Sequence, residues 1–367
     1  MKESLLLIGP YPPPDGGTTI PFKLFCDYLL LHLNHVYDIC IVNTTSGVKT
    51  KKTFLQPKTL LKLLVVAYKI AIKGVFSQKI LIFGSQRFVT IIGGIVILTM
   101  KPLGKSVYIR VNGGGYDLYY KNSRYITRFI IERLLKKADG IVVETGIVEN
   151  AMKKVWANNL YKLPNYRQLK TVDKTKRNFK KNEIIFIYTG IVRKLKGVED
   201  LLRAFLELKE VLKGGNDHKK IRLEIYGPIY SSEKEKIDLD IYKEIADIKF
   251  HGQVSNQELG KAYLSADVFV FPTYWPTEGH SGSVVEAMMY GLPIIATNWR
   301  ATPEIVKDNV NGLLCEVGDT EDLKNKMYKF VVDAELRERM SKAAVDSSLQ
   351  FDSNIVCEKF VEKFKLN

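Results

Sequence analysis

The stretch 269–297 constrains the fold most, because it reads as a strand, a glycine-containing loop, a helix and a second strand. Its flanking apolar runs, Val268–Phe271 and Ile294–Thr297, are typical of strands buried on both faces of a parallel sheet. Between them, helix-forming residues begin at Ser283 and end at the stop signal Gly291. The pattern predicts an α/β domain built on a parallel sheet.

The loop before this helix is a candidate phosphate site. Its small residues let backbone N–H groups approach a ligand closely, and the positive end of the helix dipole favours an anion. We therefore predict that five residues at the helix start contact a bound ligand: Gly279, His280, Ser281, Gly282 and Ser283.

Two carboxylates frame this loop, Glu278 before it and Glu286 in the helix. Ser283-x-x-Glu286 fits a capping box, in which the glutamate accepts a hydrogen bond from the serine backbone. The sequence therefore leaves two alternative roles for Glu286, helix capping and ligand binding. Glu278 has no evident packing role beside glycine, histidine and serine, so we predict that it contacts the ligand.

The Glu-x7-Glu spacing is followed by Ala-Met-x-x-Gly-x-Pro-Ile-Ile-Ala-Thr and by Pro303-Glu-Ile-Val306. Together with Phe250-His-Gly-Gln-Val254 upstream, these motifs resemble the signature of the retaining glycosyltransferases of family 4. The resemblance implies the α/β GT-B fold, in which two Rossmann-like domains face each other across a cleft. It also implies a nucleoside-diphosphate sugar as donor, held mainly by the C-terminal domain, with Glu278 on its sugar and Glu286 on the ribose.

A chain of 367 residues is long enough for two domains. Leu163-Pro-Asn165 resembles the interdomain hinge of the family. We expect an acceptor-binding domain at 1–164, a nucleotide-sugar-binding domain at 165–345, and a C-terminal helix at 346–367 that crosses back to the first domain.

A second candidate donor loop begins at Gly190 and contains three cations. Lysine and arginine suit a diphosphate whose charge grows as the nucleotide departs. Family members have arginine directly after the glycine, where this chain has Ile191, so we assign that role to Arg193. Lys196 matches the family pattern, and Val254 is expected near the base. The predicted catalytic residues are therefore Glu278, Lys196 and Arg193.

The N-terminal half offers two glycine-containing loops. In the family, the Gly16-Gly17 turn faces the donor phosphates, although an ordinary tight turn explains these glycines equally well. The second loop supplies the predicted acceptor-side residues Asn112, Gly113, Tyr116 and Asp117. Asn112 stands where many relatives carry histidine.

The formal charge of +15 is unevenly distributed, because residues 1–165 hold 23 Lys+Arg against 9 Asp+Glu. This net +14 points to an anionic partner. Lysines recur along 58–79, either as a solvated helix face or as a surface that lies on an anionic membrane. The apolar run Phe88–Met100 is shorter than the roughly 20 residues needed to span a bilayer, so we expect a buried helix.

No metal-ligand spacing of histidine and cysteine occurs, so we expect no metal and no cofactor. The four scattered cysteines and the absence of a signal pattern at Met1–Gly9 favour a cytoplasmic protein. The basic N-terminal half predicts its attachment to the inner face of the cell membrane. The resemblance to family 4 implies the activity: retaining transfer of a sugar to a hydroxyl of a lipid-linked glycan during cell-surface polysaccharide biosynthesis.

Two alternatives from other functional classes remain. A catalytically silent nucleotide-sugar-binding subunit would fit the departures at Asn112 and Ile191. A nucleic-acid-binding protein would explain the basic half, but no recognition motif accompanies the charge, so we expect no nucleic acid partner.

Overall fold

The computed structural model describes residues 2–45, 57–156, 159–169, 178–214, 219–230 and 237–366, with backbone alone for 57–64. These residues form two compact units. The first comprises residues 1–168 and 351–367, and the second comprises residues 169–350.

The first unit is built on six parallel strands in the order β2-β1-β3-β4-β5-β6. Their bounds are Glu3–Gly9 (β1), Tyr37–Asn43 (β2), Lys79–Gly84 (β3), Ser106–Val111 (β4), Gly140–Val143 (β5) and Leu160–Lys162 (β6). The chain passes to one side of β1 and then to the other, which is the doubly wound order.

Six helices in the described part of the first unit connect these strands: Thr19–His32 (α1), Pro57–Phe76 (α2), Gln86–Met100 (α3), Tyr116–Lys121 (α4), Tyr125–Phe129 (α5) and Gly146–Met152 (α6). A π-helical turn, Ile130–Leu134, continues α5. The helices α2, α3 and α6, together with this turn, share one hydrophobic core with the same face of the sheet. Because right-handed crossovers place successive helices side by side, α2, α3 and α5 follow one another over that face.

The helix α3 differs from its prediction as a buried helix. Its inner side, including Val89 and Ile97, packs in the core, but Ile91, Ile95 and Leu98 are exposed. Among the described residues, the segment Gln86–Leu103 is long and apolar enough to cross a membrane by length and composition, with 39% of it buried. The apolar run Phe88–Met100 therefore underestimated the length of this segment. A helix with an apolar outer side as well as an apolar inner side reads from sequence as buried all round.

The second unit also has six parallel strands, in the order β12-β11-β10-β7-β8-β9. Their bounds are Glu183–Thr189 (β7), Lys220–Tyr226 (β8), Ile248–Gly252 (β9), Val268–Phe271 (β10), Ile294–Thr297 (β11) and Gly312–Cys315 (β12). The fully buried strands β10 and β11 explain the unbroken apolar runs in the sequence.

Seven helices of the described second unit pack on this sheet: Val198–Gly214 (α7), Asp240–Lys243 (α8), Asn256–Ser265 (α9), Gly282–Met289 (α10), Thr302–Ile305 (α11), Thr320–Val332 (α12) and Ala334–Ser348 (α13). Two parallel sheets with helices confirm the predicted α/β class.

The last helix, Ser353–Lys363 (α14), packs on the first unit, where the Phe360 ring centroid lies 5.3 Å from that of Phe25. Residues 165–168 also belong to the first unit, because the buried Tyr166 packs on Phe360 and donates its hydroxyl to the Pro21 carbonyl at 2.7 Å. The observed divisions at 168 and 350 lie later in the chain than the expected 164 and 345.

Candidate active site

The loops that follow β7 and β10 meet at the carboxyl edge of the second sheet. These two strands are neighbours, although the chain visits β8 and β9 between them, so the strand order reverses at this point. Ligands of open parallel sheets bind outside such a reversal, because the loops on either side diverge and leave a crevice. The cationic loop after β7 and the Glu278 loop after β10 are therefore placed where a ligand is expected.

An ion pair joins the two loops. The Lys196 ammonium lies 2.5 Å from a carboxylate oxygen of Glu278. Both side chains are largely buried, with 18% and 10% of their surface exposed. A pair shielded from water attracts more strongly than a surface pair, so each residue positions the other.

Further hydrogen bonds hold Glu278 in place. The buried Thr273 hydroxyl donates to the same carboxylate oxygen at 2.7 Å and accepts from the Trp275 backbone N–H at 3.2 Å. The Tyr274 N–H donates to the Leu195 carbonyl at 3.0 Å, which ties the Glu278 loop to the cationic loop. Burial and the Glu278 carboxylate together raise the pKa of Tyr188, which lies beneath the loops.

The close approach of the two loops depends on Gly197. Its φ is +69°, and a Cβ there would lie 1.8 Å from the Pro272 carbonyl oxygen at the end of β10. Only glycine adopts this backbone conformation without strain and also leaves room for the neighbouring chain. The Lys-Gly pair in the sequence is therefore a geometric requirement for bringing Lys196 to Glu278.

The Arg193 guanidinium lies between two aromatic rings. Its central carbon is 4.2 Å from the Tyr230 ring centroid and 4.1 Å from that of Trp275. Stacking on two ring faces holds a planar cation in one orientation. The Lys196 ammonium lies 5.9 Å from the same Trp275 centroid, so Trp275 is close to both cations. Sequence reasoning assigned no role to Trp275, although it lies in the stretch 269–297, and none to Tyr230.

The helix α10 begins at this edge, but not as a capping box would place it. The N-cap is Ser281 rather than Ser283, and no side-chain cap hydrogen bond forms there. The capping interpretation of Ser283 and Glu286 is therefore wrong, because Ser283 already lies inside the helix. Glu286 is half-buried in the second turn, where its charge adds to burial in raising the pKa of Tyr290.

The loop residues before α10 differ in their surroundings. The buried His280 imidazole lies 3.2 Å from a carboxylate oxygen of Glu304, on α11. The hydroxyls of Ser281 and Ser283 lie 3.0 Å apart, and Gly279 is partly exposed. These backbone and hydroxyl groups surround the positive end of an eight-residue helix.

Gly190 and Val254 lie in loops of the same sheet edge. Gly190 has a φ of +154° and donates its N–H to the Tyr226 carbonyl at 2.9 Å. Val254 is partly exposed after β9. The nearby His251 stacks on Tyr226 and contacts Glu224, which is a structural arrangement.

The Gly16-Gly17 turn of the first unit follows β1, at the point where that sheet also reverses its strand order. Neither glycine has a positive φ, and among the described residues no atom lies closer than 3.7 Å to a Cβ built on either. Internal packing therefore does not require glycine at these positions. The donor-facing role that the resemblance implies for this turn stays a prediction.

The acceptor-side residues around Asn112 are only partly placed as expected. The buried Asn112 accepts from Arg110 Nε at 3.1 Å, and its amide nitrogen has no hydrogen-bond partner among the described residues. The Gly113 N–H donates to a Glu144 oxygen at 2.8 Å. Asp117 is half-buried on α4.

Tyr116 is a correction. Its side chain is fully buried, lies 2.7 Å from the Thr90 hydroxyl and packs on Trp156, so it supports the loop and does not face an acceptor. Arg110 was missed from the sequence, since a single arginine in a strand gives no signal of burial. Its guanidinium packs over Tyr166 and Phe360.

The second unit thus brings Arg193, Lys196, Glu278 and the start of α10 to the edge where the sheet reverses. Among the described residues, no group of three or more histidine, cysteine, aspartate and glutamate side chains is arranged to hold a metal ion. What the edge offers is positive charge, helix-terminal N–H groups and one buried carboxylate.

The family match falls on the second unit of the chain. Residues 170–346 match the family model described as Glycosyl transferases group 1. An uncharacterized glycosyltransferase of Methanocaldococcus jannaschii is 26% identical over 230 residues, 59% of this chain and 55% of that protein. An uncharacterized 41.2 kDa protein in the cps region of Klebsiella pneumoniae is 30% identical over 201 residues, 52% of this chain and 51% of that protein.

A third relative is the N,N'-diacetylbacillosaminyl-diphospho-undecaprenol alpha-1,3-N-acetylgalactosaminyltransferase of Campylobacter jejuni. It is 29% identical over 100 residues, 27% of this chain and 26% of that protein. The aligned regions thus span about half the length of the first two relatives and a quarter of the third.

Among solved structures, the Anabaena protein HepE in complex with UDP and glucose has a TM-score of 0.72. It is 14% identical, and each chain is covered completely. At this identity the likeness describes the fold, which is the GT-B combination of two Rossmann-like units. Residues 170–346 therefore belong to the glycosyl transferases group 1 family, on a chain that has the GT-B fold.

Proposed function

We propose that the protein transfers a sugar, with retention at the anomeric carbon, from a nucleoside-diphosphate sugar to a hydroxyl of a lipid-linked glycan. The observation that carries the proposal is the meeting of Arg193, Lys196 and Glu278 where the second sheet reverses its strand order. The family match at 170–346 covers the same loops.

The donor diphosphate is the group that the cations serve. Cleaving the bond between sugar and phosphate leaves negative charge on the departing diphosphate, and preorganised cations stabilise that charge. Lys196 has three N–H donors, one of which meets Glu278. It can therefore keep its partner and still donate to a phosphate oxygen. Arg193, stacked between two rings, needs little reorganisation to do the same.

The two glutamates have separate tasks in this proposal. Glu278 contacts hydroxyls of the donor sugar, because its loop carries it to the sheet edge beside the cations. Glu286, one turn into α10, binds the ribose hydroxyls. The N–H groups at Gly282 and Ser283 face the diphosphate, and no metal takes part in the reaction.

The acceptor is proposed as a lipid-linked glycan in cell-surface polysaccharide synthesis, reached by a cytoplasmic protein bound peripherally to the inner face of the cell membrane. Two observations support this choice. The Campylobacter relative is named for a diphospho-undecaprenol substrate. The first 165 residues also carry a net charge of +14, which suits an anionic membrane.

A panel of nucleotide sugars tests the donor assignment. Thermal stabilisation by one of them, with chelator present, would identify the donor base and sugar. The released nucleoside diphosphate and the anomeric configuration of the product then report turnover and retention. Lys194→Met is a matched control for Lys196→Met, because Lys194 is an exposed cation of the same loop. Equal effects of both variants on donor affinity would contradict the proposal.

A catalytically silent nucleotide-sugar-binding subunit is the second candidate function. It is favoured by Asn112, whose buried amide can donate a hydrogen bond but cannot carry a proton as the imidazole of many relatives can. Slow hydrolysis of the donor in the absence of acceptor discriminates between the two. Tight binding without any hydrolysis or transfer would favour the silent subunit.

A further inference from the structure

Three neighbouring helices of the first unit each present apolar side chains to solvent. The stripe on α2 includes Tyr68 and Phe76, that on α3 includes Ile91 and Leu98, and α5 adds Tyr125. The exposed fractions reach 77% at Phe76, 63% at Leu98 and 84% at Tyr125. Tyr68 and Phe76 are eight residues apart and Ile91 and Leu98 are seven apart, which places each pair on one side of its helix.

This concentration of exposed apolar residues is unusual. The described residues contain 27 exposed large hydrophobic side chains, and 12 of them lie on or directly after these three helices. The 12 are Val65, Tyr68, Ile72, Val75, Phe76, Ile91, Ile95, Leu98, Leu103, Tyr125, Ile126 and Phe129. Large apolar surfaces on a folded protein mark sites of interaction with a partner or a membrane. We call this surface the outer apolar surface.

Positive charge surrounds the outer apolar surface. The segments 57–76, 86–105 and 121–137 contain 13 lysines and arginines but one acidic residue, Glu132. They therefore account for +12 of the +14 in the N-terminal half. Lys69, Lys73 and Arg87 are exposed beside the apolar stripes.

A cationic groove adjoins the outer apolar surface. This open pocket of about 940 Å³ lies along α5 and the π-helical turn, and Tyr125 and Phe129 belong to both groove and surface. Its cations are Arg128, Arg133, Lys136 and Lys137. Among the described residues, Arg133, Lys136 and Lys137 form no ion pair. The single carboxylate in the lining accepts the Tyr120 hydroxyl at 2.7 Å.

We propose that the outer apolar surface docks on an anionic lipid bilayer and that the adjoining groove binds the phosphates of its lipid headgroups. Tyr125, Ile126 and Phe129 enter the interface, while the groove cations stay at the level of the headgroups. Aromatic and aliphatic side chains flanked by lysine and arginine are suited to this boundary, since each part meets its preferred environment. The proposal rests on the membrane attachment proposed above and is independent of the donor chemistry.

The charge of the surface favours an anionic bilayer over a second copy of the chain or a nucleic acid as its partner. A symmetric contact with a second copy would bring like charge against like charge across the same patch. A nucleic acid would satisfy the cations and leave the apolar stripes in water. An anionic bilayer satisfies both, because its headgroups carry the counter-charge and its acyl region accepts the apolar side chains.

Sedimentation of the full chain with vesicles tests the proposal. One set of vesicles is made of neutral phosphatidylcholine, and in the other set about 30% of it is replaced by anionic phosphatidylglycerol. We expect strong preference for the anionic set, weakened at high salt because screening shortens the reach of each charge. Reversal of three groove cations, Arg133→Glu with Lys136→Glu and Lys137→Glu, should lower the partition coefficient by about 100-fold or more.

The apolar contribution is tested separately by Tyr125→Ser with Ile126→Ser and Phe129→Ser. This variant should lose the binding that persists at high salt. The matched apolar control is Leu30→Ser with Leu31→Ser, on α1, whose buried side packs against the opposite face of the sheet. The matched charge control is Lys153→Glu with Lys154→Glu, an exposed pair outside the surface. Both controls should bind as the parent chain does.

Thermal unfolding and nucleotide binding accompany each variant. Unchanged values with lost vesicle binding support the proposal, whereas failure of nucleotide binding in the parent chain would contradict the donor assignment alone. Three results would overturn the docking proposal. The chain could bind neutral and anionic vesicles equally, it could bind neither, or the control variants could lose as much vesicle binding as the test variants. A concentration-dependent dimer without vesicles, abolished by the Tyr125, Ile126 and Phe129 variant, would instead assign the surface to a second copy and overturn it.

Discussion

The ion pair between Lys196 and Glu278 allows structural and ligand-binding roles to be separated by mutation. Lys196→Met keeps the length of the side chain and removes its charge. The change leaves Glu278, which is 10% exposed, without its cation. Because a buried charge without a partner is unfavourable, we expect this variant to be less stable and also to bind nucleoside diphosphate more weakly.

The burial of the ion pair limits how large the losses of stability and of nucleoside diphosphate affinity can be. Removing one partner of a fully buried ion pair costs about 3–5 kcal/mol of unfolding free energy. Here both side chains retain some contact with water, and Thr273 still donates to the carboxylate. We therefore expect a loss of about 1–3 kcal/mol. Loss of the charge-assisted hydrogen bond to the diphosphate should weaken its binding by about 10- to 100-fold.

The second substitution, Glu278→Gln, completes a double-mutant cycle. Glutamine removes the buried charge and can still accept from Thr273. The double variant, Lys196→Met with Glu278→Gln, should thus recover about 1–2 kcal/mol relative to the sum of the single losses. Its nucleoside diphosphate affinity should remain as low as that of Lys196→Met, because restored stability does not restore the missing cation.

Urea unfolding gives the stabilities, and calorimetric titration with chelator present gives the affinities. Lys194→Met serves as the control for a cation of the same loop that is exposed. Strictly additive stability losses would refute the coupling between the loops. An affinity equal to that of the control would remove Lys196 from the donor site.

Three further results are expected. Glu278→Gln should depress turnover, whereas Glu286→Gln should mainly raise the Michaelis constant for donor; native steady-state kinetics in both variants would remove both from the site. Gly197→Ala should destabilise the protein by about 2 kcal/mol or more, measured by urea unfolding, since its φ is +69° and its Cβ would meet the Pro272 carbonyl. One thiol, Cys40, should react quickly with a disulfide reagent at pH 8, and four should react after unfolding. Burial raises the pKa of the other three thiols, to about 12 at Cys315 and Cys357 and further at Cys26. At pH 8 about 10⁻⁴ or less of each of these cysteines is therefore in the reactive thiolate form. Rapid reaction of several thiols would contradict their burial.

Much of the second unit was predictable because its signals are local. Unbroken apolar runs, glycine stops and small residues at a helix start belong to contiguous segments such as 268–297. The same holds for Lys196-Gly197, where a positive φ requires glycine at a fixed position beside the cation. The hydrophobic patterns of strands and helices depend on residues that are close in the chain, so the sequence alone predicts the α/β class.

Long-range contacts decided what the sequence left open. The capping interpretation of Glu286 failed because the N-cap is Ser281, which places Ser283 inside the helix. Tyr116 proved to be a packing residue, and Trp275 and Tyr230 enclosed Arg193, because those contacts come from separate loops.

The sequence by itself determined the two-sheet class, the cationic loop, the paired glutamates and the excess of positive charge in the N-terminal half. The tertiary structure alone decided that Lys196 meets Glu278 across 82 residues and that apolar side chains on α2, α3 and α5 stay exposed. The physical reason is that hydrophobicity and charge are properties of single residues, whereas burial is a property of the folded chain. An apolar helix such as α3 has the same composition whether its outer side faces a core or water, and packing on the sheet covers one side only.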